Sequence, residues 1–138
     1  MTSIDFLSAD ELLLVAREAF GDVPQVRDRG LVEGASARPS TSVFGADAYP
    51  GVWDKAAALL HSVARDHALV DGNKRTAWVA ARVFLSLNGV PAVPVDVDRA
   101  EEFVVAVTTG ALADTGEIGV RLRALYRGRA GAGAGVGT

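Results

Sequence analysis

His67-Ala-Leu-Val-Asp-Gly-Asn-Lys-Arg75 gathers one imidazole, one carboxylate, one glycine, one amide and two cations within nine residues. It separates two stretches with helical spacing, residues 51–66 and 73–88. A segment that opens a helix with Asp-Gly-Asn-Lys-Arg is suited to holding phosphate. The first helical turn presents unpaired N–H groups and a partial positive charge. Gly72 lets the backbone take φ > 0 or approach an anion closely. Asn73, Lys74 and Arg75 add donors and two full charges. Two cations at a helix start oppose its dipole, a small cost that hints at an anion there.

Upstream, Trp53, Ala57, Leu60 and Ala64, with Ala56 and Val63, recur at i, i+3, i+4 spacing. His67 continues that face one turn on, so the spacing predicts an imidazole pointing toward the interior. Asp54, Lys55, Ser62 and Arg65 fall on the other faces, Arg65 and Asp66 being read as solvated and His61 as structural. Downstream, the helix from Asn73 is apolar on nearly every side, through Ala77, Trp78, Ala80, Val83, Phe84 and Leu87. That pattern predicts a central, surrounded helix, a rigid support for a site at its start. Asn88-Gly89 ends it.

Farther out, Ser8-Ala-Asp-Glu11 is a capping box that opens a helix over 8–20, with Gly21 as its stop. Residues 21–30 form a loop. Leu31, Val32, Ala35 and Ala37 suggest a short helix ended by Arg38-Pro39. Residues 39–50 are an irregular flap in which Ser42-Val-Phe44 is a short strand, hanging over a site. Pro91 and Pro94 keep 90–97 out of helix. Asp98-Arg-Ala-Glu101 repeats the capping pattern, with Asp98 as N-cap of a helix that Gly110 ends. Asp114 or Thr115 caps a last helix through Leu122, Leu125 and Tyr126. The expectation is an all-α chain, about six helices around a central helix with a small flap. It spans one domain over 1–127, followed by a disordered Gly/Ala-rich tail over 128–138.

Composition narrows the function. A 49% hydrophobic content is enough for a core in a chain of single-domain size. A net charge of −3 argues against a general nucleic-acid binder, which carries a basic surplus. With no cysteine there is neither a disulfide framework nor thiol chemistry, and two histidines make a poor zinc site. The N-terminus has Asp5 and no basic lead before a long apolar run. No apolar run approaches the ~18 residues of a membrane span. The expectation is a soluble cytoplasmic protein with no membrane partner and no direct nucleic-acid contact.

The loop can fill every role in transfer from a nucleoside triphosphate, which needs phosphate charge neutralised, a metal held and a hydroxyl deprotonated. Asp71 supplies one hard oxygen ligand for Mg²⁺, which takes only one or two carboxylates beside phosphates and waters. Gly72 shapes the anion hole, and Asn73, Lys74 and Arg75 bind phosphate oxygens. His67 is the nearby imidazole, a side chain whose ordinary pKa of ~6.5 suits proton removal. Arg65 and Thr76 are candidate supporting residues.

The stretch resembles the Fic/Doc family, whose shared motif runs H-x-F-x-D/E-G-N-x-R. Here it stands as His67, Asp71, Gly72, Asn73 and Arg75, with Leu69 in place of the phenylalanine. The context resembles the Doc (death-on-curing) branch. Arg27-Asp28-x-Gly30-Leu31, Glu33, Ala37-Arg38-Pro39, Tyr49-Pro50, Asn73-Lys-Arg-Thr-Ala77 and Asn88-Gly89 carry that likeness over roughly residues 25–90. The resemblance implies a helical fold with the loop at the start of a central helix, and a flap near 39–48 that docks a target by strand addition. AMP-transferring members carry glycine after the asparagine and a second arginine three residues past the first, where this chain has Lys74 and Trp78. Doc toxins share the lysine and lack that arginine. The resemblance therefore implies a toxin kinase that moves the terminal phosphate of ATP to a threonine of elongation factor Tu and stops translation. In that role His67 is the base, Asp71 the Mg²⁺ ligand, and Gly72, Asn73, Lys74 and Arg75 the ATP-binding residues. The inhibitory S/T-x-x-x-E-G/N pattern is missing, since Glu33-Gly34 is preceded at the first position by Arg29. Control by a separate Phd-type antitoxin is thus implied, its segment covering an apolar groove. The alternatives are a Fic-type AMP-transferase on the same scaffold and a non-catalytic module that binds antitoxin or DNA.

Overall fold

A computed structural model describes residues 3–128. Its elements are α1 (Ala9–Phe20), α2 (Arg29–Ala37), a single 3-10 turn (Arg38–Ser40), β1 (Ser42–Val43), β2 (Ala46–Asp47), α3 (Val52–Asp66), α4 (Asn73–Leu87), α5 (Val97–Thr109) and α6 (Thr115–Gly128). The expected all-helical plan of six helices with a small flap is what the described residues form. The expected tail lies outside them except for Gly128, which is the last residue of α6.

Helix starts follow local chemistry. Ser8 and Glu11 exchange the two bonds of a capping box at α1. Asp28 accepts from the Leu31 N–H to open α2. Asp114 accepts from the Glu117 N–H to open α6. At α5 the cap is Asp96, whose carboxylate accepts from the Arg99 N–H at 3.1 Å, and not Asp98. Asp98 alone has the glutamate three residues on, but either aspartate can serve as an N-cap, and the earlier one, just past Pro94, adds two residues to the helix.

The centre is a pair. α3 packs against α2, α4, α5, α6 and the 3-10 turn, and α4 lies between α1, α3 and α5. Leu59, Leu60, Phe84, Leu85, Val107, Ile118 and Leu122 are fully buried there. Burial of such side chains contributes roughly 1.5–3 kcal/mol each before conformational entropy is counted. At Gly119 a β-carbon would sit 3.2 Å from the Trp53 carbonyl oxygen, so the residue's smallness lets α6 press on α3. α4 is not surrounded: Trp78, Val79, Arg82 and Val83 are only half-buried. Trp78 and Arg82 face a cleft instead.

The off-face polar residues of α3 also differ from expectation. Lys55 and Ser62 are buried. Lys55 Nζ meets Asp47 at 3.2 Å and the carbonyls of Tyr49 and Pro50. Ser62 Oγ accepts from Arg38 at 3.0 Å, and the same guanidinium reaches Tyr49 Oη and His61 Nδ1. These bonds moor the flap's base to α3. The flap itself is a two-residue hairpin, with Ser42 opposite Asp47 and Val43 opposite Ala46. Phe44 is in the turn rather than the strand. It has φ 52° and Gly45 has φ 80°, the twin positive angles such a hairpin demands.

Candidate active site

His67 closes α3 in a left-handed conformation, φ 52° and ψ 46°. Among the described residues only Phe44 shares positive φ without being glycine. For a residue with a β-carbon that region costs roughly 1–2 kcal/mol. Arg27 meets it from outside the helix: Nε donates to the His67 carbonyl at 2.6 Å, and a terminal nitrogen to the Asp66 carbonyl at 3.1 Å. The turn takes the imidazole off the helical face, so His67 is exposed and lines the cleft. The expected interior direction is corrected here, because helical spacing stops predicting direction at the cap.

Past His67 the loop runs beside residues 25–28. The Arg27 and Asp28 N–H groups both donate to the Ala68 carbonyl, at 2.8 and 3.1 Å, and Val70 N–H donates to Gln25. Leu69 is buried opposite Val26, anchoring the loop in the core. Asn73 reaches back to Leu69 twice, its oxygen accepting from the N–H at 3.1 Å and its nitrogen donating to the carbonyl at 2.9 Å. The Asn73 side chain is thus a clamp on the loop, and its backbone N–H is what it offers an anion.

Gly72 precedes α4 with φ 83° and ψ 11°. A β-carbon on it would lie 2.9 Å from Phe20 Cδ1, so both conformation and space select glycine. Asp71 is exposed, and its Oδ1 accepts from the Gly72 N–H at 2.7 Å. No side chain caps α4. The first N–H of its opening turn to bond back is that of Thr76, to the Gly72 carbonyl. The N–H groups of Asn73, Lys74 and Arg75 precede it and face no such partner.

These groups open onto one cleft of about 1040 Å³. Its lining includes His67, Asp71, Gly72, Asn73, Lys74 and Arg75, the six residues given direct roles from sequence, whereas the two candidate supporting residues, Arg65 and Thr76, are not part of it. The other wall is largely apolar, with Trp78, Val95, Val97, Ala100 and Val104. Arg82 also lines it, its guanidinium 5.4 Å from the Trp78 ring centroid and 5.1 Å from that of Tyr126. It donates to the Val93 carbonyl at 2.7 Å. Burial pushes the Tyr126 phenol above its ordinary pKa, with Arg82 pulling the other way.

Four residues outside the cleft complete the picture. Arg65 is not simply solvated: it donates to the Thr108 carbonyl at 2.8 Å and ties α3 to the end of α5. Thr76 is buried with its hydroxyl unpartnered. His61 is structural, as expected. Its pKa is lowered by burial first, then by the charges of Arg38 and Arg65. Arg27 was missed as a site residue, although it stands in the Arg27-Asp28 pair of the resemblance. Its signal is long-range, a bond across 40 positions.

The donor set suits a hard cation held mainly by its phosphate ligands. Among the described residues no three of His, Cys, Asp and Glu cluster, and Asp71, at the mouth of α4 in the cleft lining, could supply one carboxylate ligand to Mg²⁺. No helix among the described residues is long and apolar enough to cross a membrane.

Comparison with known proteins bears on the same residues. The model of the Fic/DOC family matches residues 6–85, which include the whole loop. Toxin Doc of Mycolicibacterium smegmatis is 56% identical over 106 residues, 76% of this chain and 82% of that protein.

Proposed function

Because the chain belongs to the Fic/DOC family, we propose that it is the toxin of a toxin–antitoxin module. In this reading it moves the terminal phosphate of ATP to a threonine hydroxyl of elongation factor Tu, halting translation. The observation that carries the reading is the uncapped start of α4, opening with Lys74 and Arg75 onto the cleft that His67 also lines.

The chain's own groups divide the work. The amides at the start of α4 and the two cations hold phosphate oxygens in the cleft. His67 takes the proton of the threonine hydroxyl as its oxygen bonds to the γ-phosphorus. The bond from that phosphorus to the β–γ bridging oxygen breaks, and ADP departs. Asn73 fixes the loop so that imidazole and amides keep their relation. Asp71 would hold Mg²⁺, which when bound neutralises charge on the phosphates. Lys74 and Trp78 stand where AMP-transferring relatives have glycine and arginine, which favours phosphate over AMP as the group moved.

A Phd-type antitoxin is the fitting partner, its segment covering the apolar wall of the cleft. Expression of the wild type in bacteria should arrest growth, and His67→Ala should not. Equal growth of both cultures, with folded wild-type protein present, would remove the enzymatic reading and leave a binding module.

A further inference from the structure

We propose that Arg27 is the positioning residue of this site: its guanidinium holds His67 in the left-handed cap that turns the imidazole into the cleft. The chemistry rests on the reading above, whereas the geometry stands apart from it.

Among the described residues three helices end in left-handed residues, and they are held in different ways. α1 ends on Gly21, whose N–H bonds back to the Arg17 carbonyl, and α5 ends on Gly110, whose N–H bonds back to the Val107 carbonyl. In both, glycine adopts positive φ freely and the chain supplies its own closing bond. α3 ends on His67, which has a β-carbon, and no such backbone bond closes it. A glycine there would remove the imidazole, so the hold has to come from elsewhere. Arg27 supplies it with donors to the last two carbonyls, those of Asp66 and His67.

The loop beyond His67 is fastened separately. Backbone bonds from Arg27 and Asp28 to Ala68, and from Val70 to Gln25, need no side chain. The Arg27 guanidinium adds nothing to that pairing and is spent on the cap one residue earlier. Nor does Arg27 line the cleft. It therefore acts through His67 and not on a substrate. A planar fork with several donors can take two adjacent carbonyls at once, which a lysine ammonium does less well.

The test is nuclear magnetic resonance and kinetics on the full chain, with Arg27→Gln and Arg27→Lys. In Arg27→Gln the His67 carbonyl shift and its φ-dependent coupling should move while α6 signals stay. Its kcat for group transfer should fall by about 100-fold, with KM for ATP within about twofold. Arg27→Lys should show the same changes at smaller size. Should Arg27→Gln not fold, the Arg27→Lys signals decide. His67 signals matching the wild type in the folded variants, or moved signals with unchanged kcat, overturn the proposal. A wild type that transfers no group defeats the functional reading, while the His67 signals still decide the geometry.

Discussion

Gly72 carries two constraints at once, a φ of 83° and a β-carbon position 2.9 Å from the Phe20 ring. Gly72→Ala is therefore expected to cost about 1–3 kcal/mol and to shift the start of α4. Gly34, inside α2 with nothing within 4 Å, is the control. Gly34→Ala should stabilise by about 0.5–1 kcal/mol. Denaturant unfolding of the two variants checks the pair, and equal effects would contradict the assignment. His61 makes a pH prediction at the same scale. Its pKa lies below the ordinary value in the folded protein, so the unfolded chain takes up the proton first as pH falls. Stability is full above about pH 6.5 and declines as pH drops from there toward the lowered folded value. His61→Gln should flatten that decline in thermal melts, and an unchanged slope would rule out His61 as its source.

At the scale of elements, helices whose signals are local were legible. The capping box of α1, the apolar stripe of α3 and the start and stop of α4 were all readable from neighbours in sequence. Most of the failures share a cause, since they need a partner outside the helix that carries the residue. Lys55 looks like a surface residue of α3 until the carbonyls of Tyr49 and Pro50 fold over it. The direction of His67 depends on Arg27, and the tether of Arg65 depends on Thr108. Asp96 against Asp98 is a local ambiguity that only the structure resolves. The flap supplies the prediction here. Lys55→Met leaves two carbonyls without their donor and should cost about 1–3 kcal/mol, with faster hydrogen exchange across residues 41–50. Unchanged exchange would mean that the lysine does not moor the hairpin.

Across the whole molecule, the site is one loop placed by packing. Leu69 anchors it inward, Asn73 clamps it to α4, and residues 25–28 run beside it. The cleft then sets basic groups and free amides at the start of α4 beside an apolar wall from α5 and the segment before it. The loop's chemistry was readable because its residues adjoin in sequence. The wall was not, because Trp78, Val97 and Val104 come together only when α4 and α5 pack. In the proposed reaction this cleft presents the terminal phosphate of ATP to a hydroxyl that His67 deprotonates. The most direct test of that step incubates wild type and His67→Ala with elongation factor Tu and ATP labelled at either the α- or the γ-phosphate. Threonine-bound label is expected from the γ position alone with wild type, and none with His67→Ala. Label arriving only from the α position, or equal labelling by the two proteins, would contradict the proposed reaction.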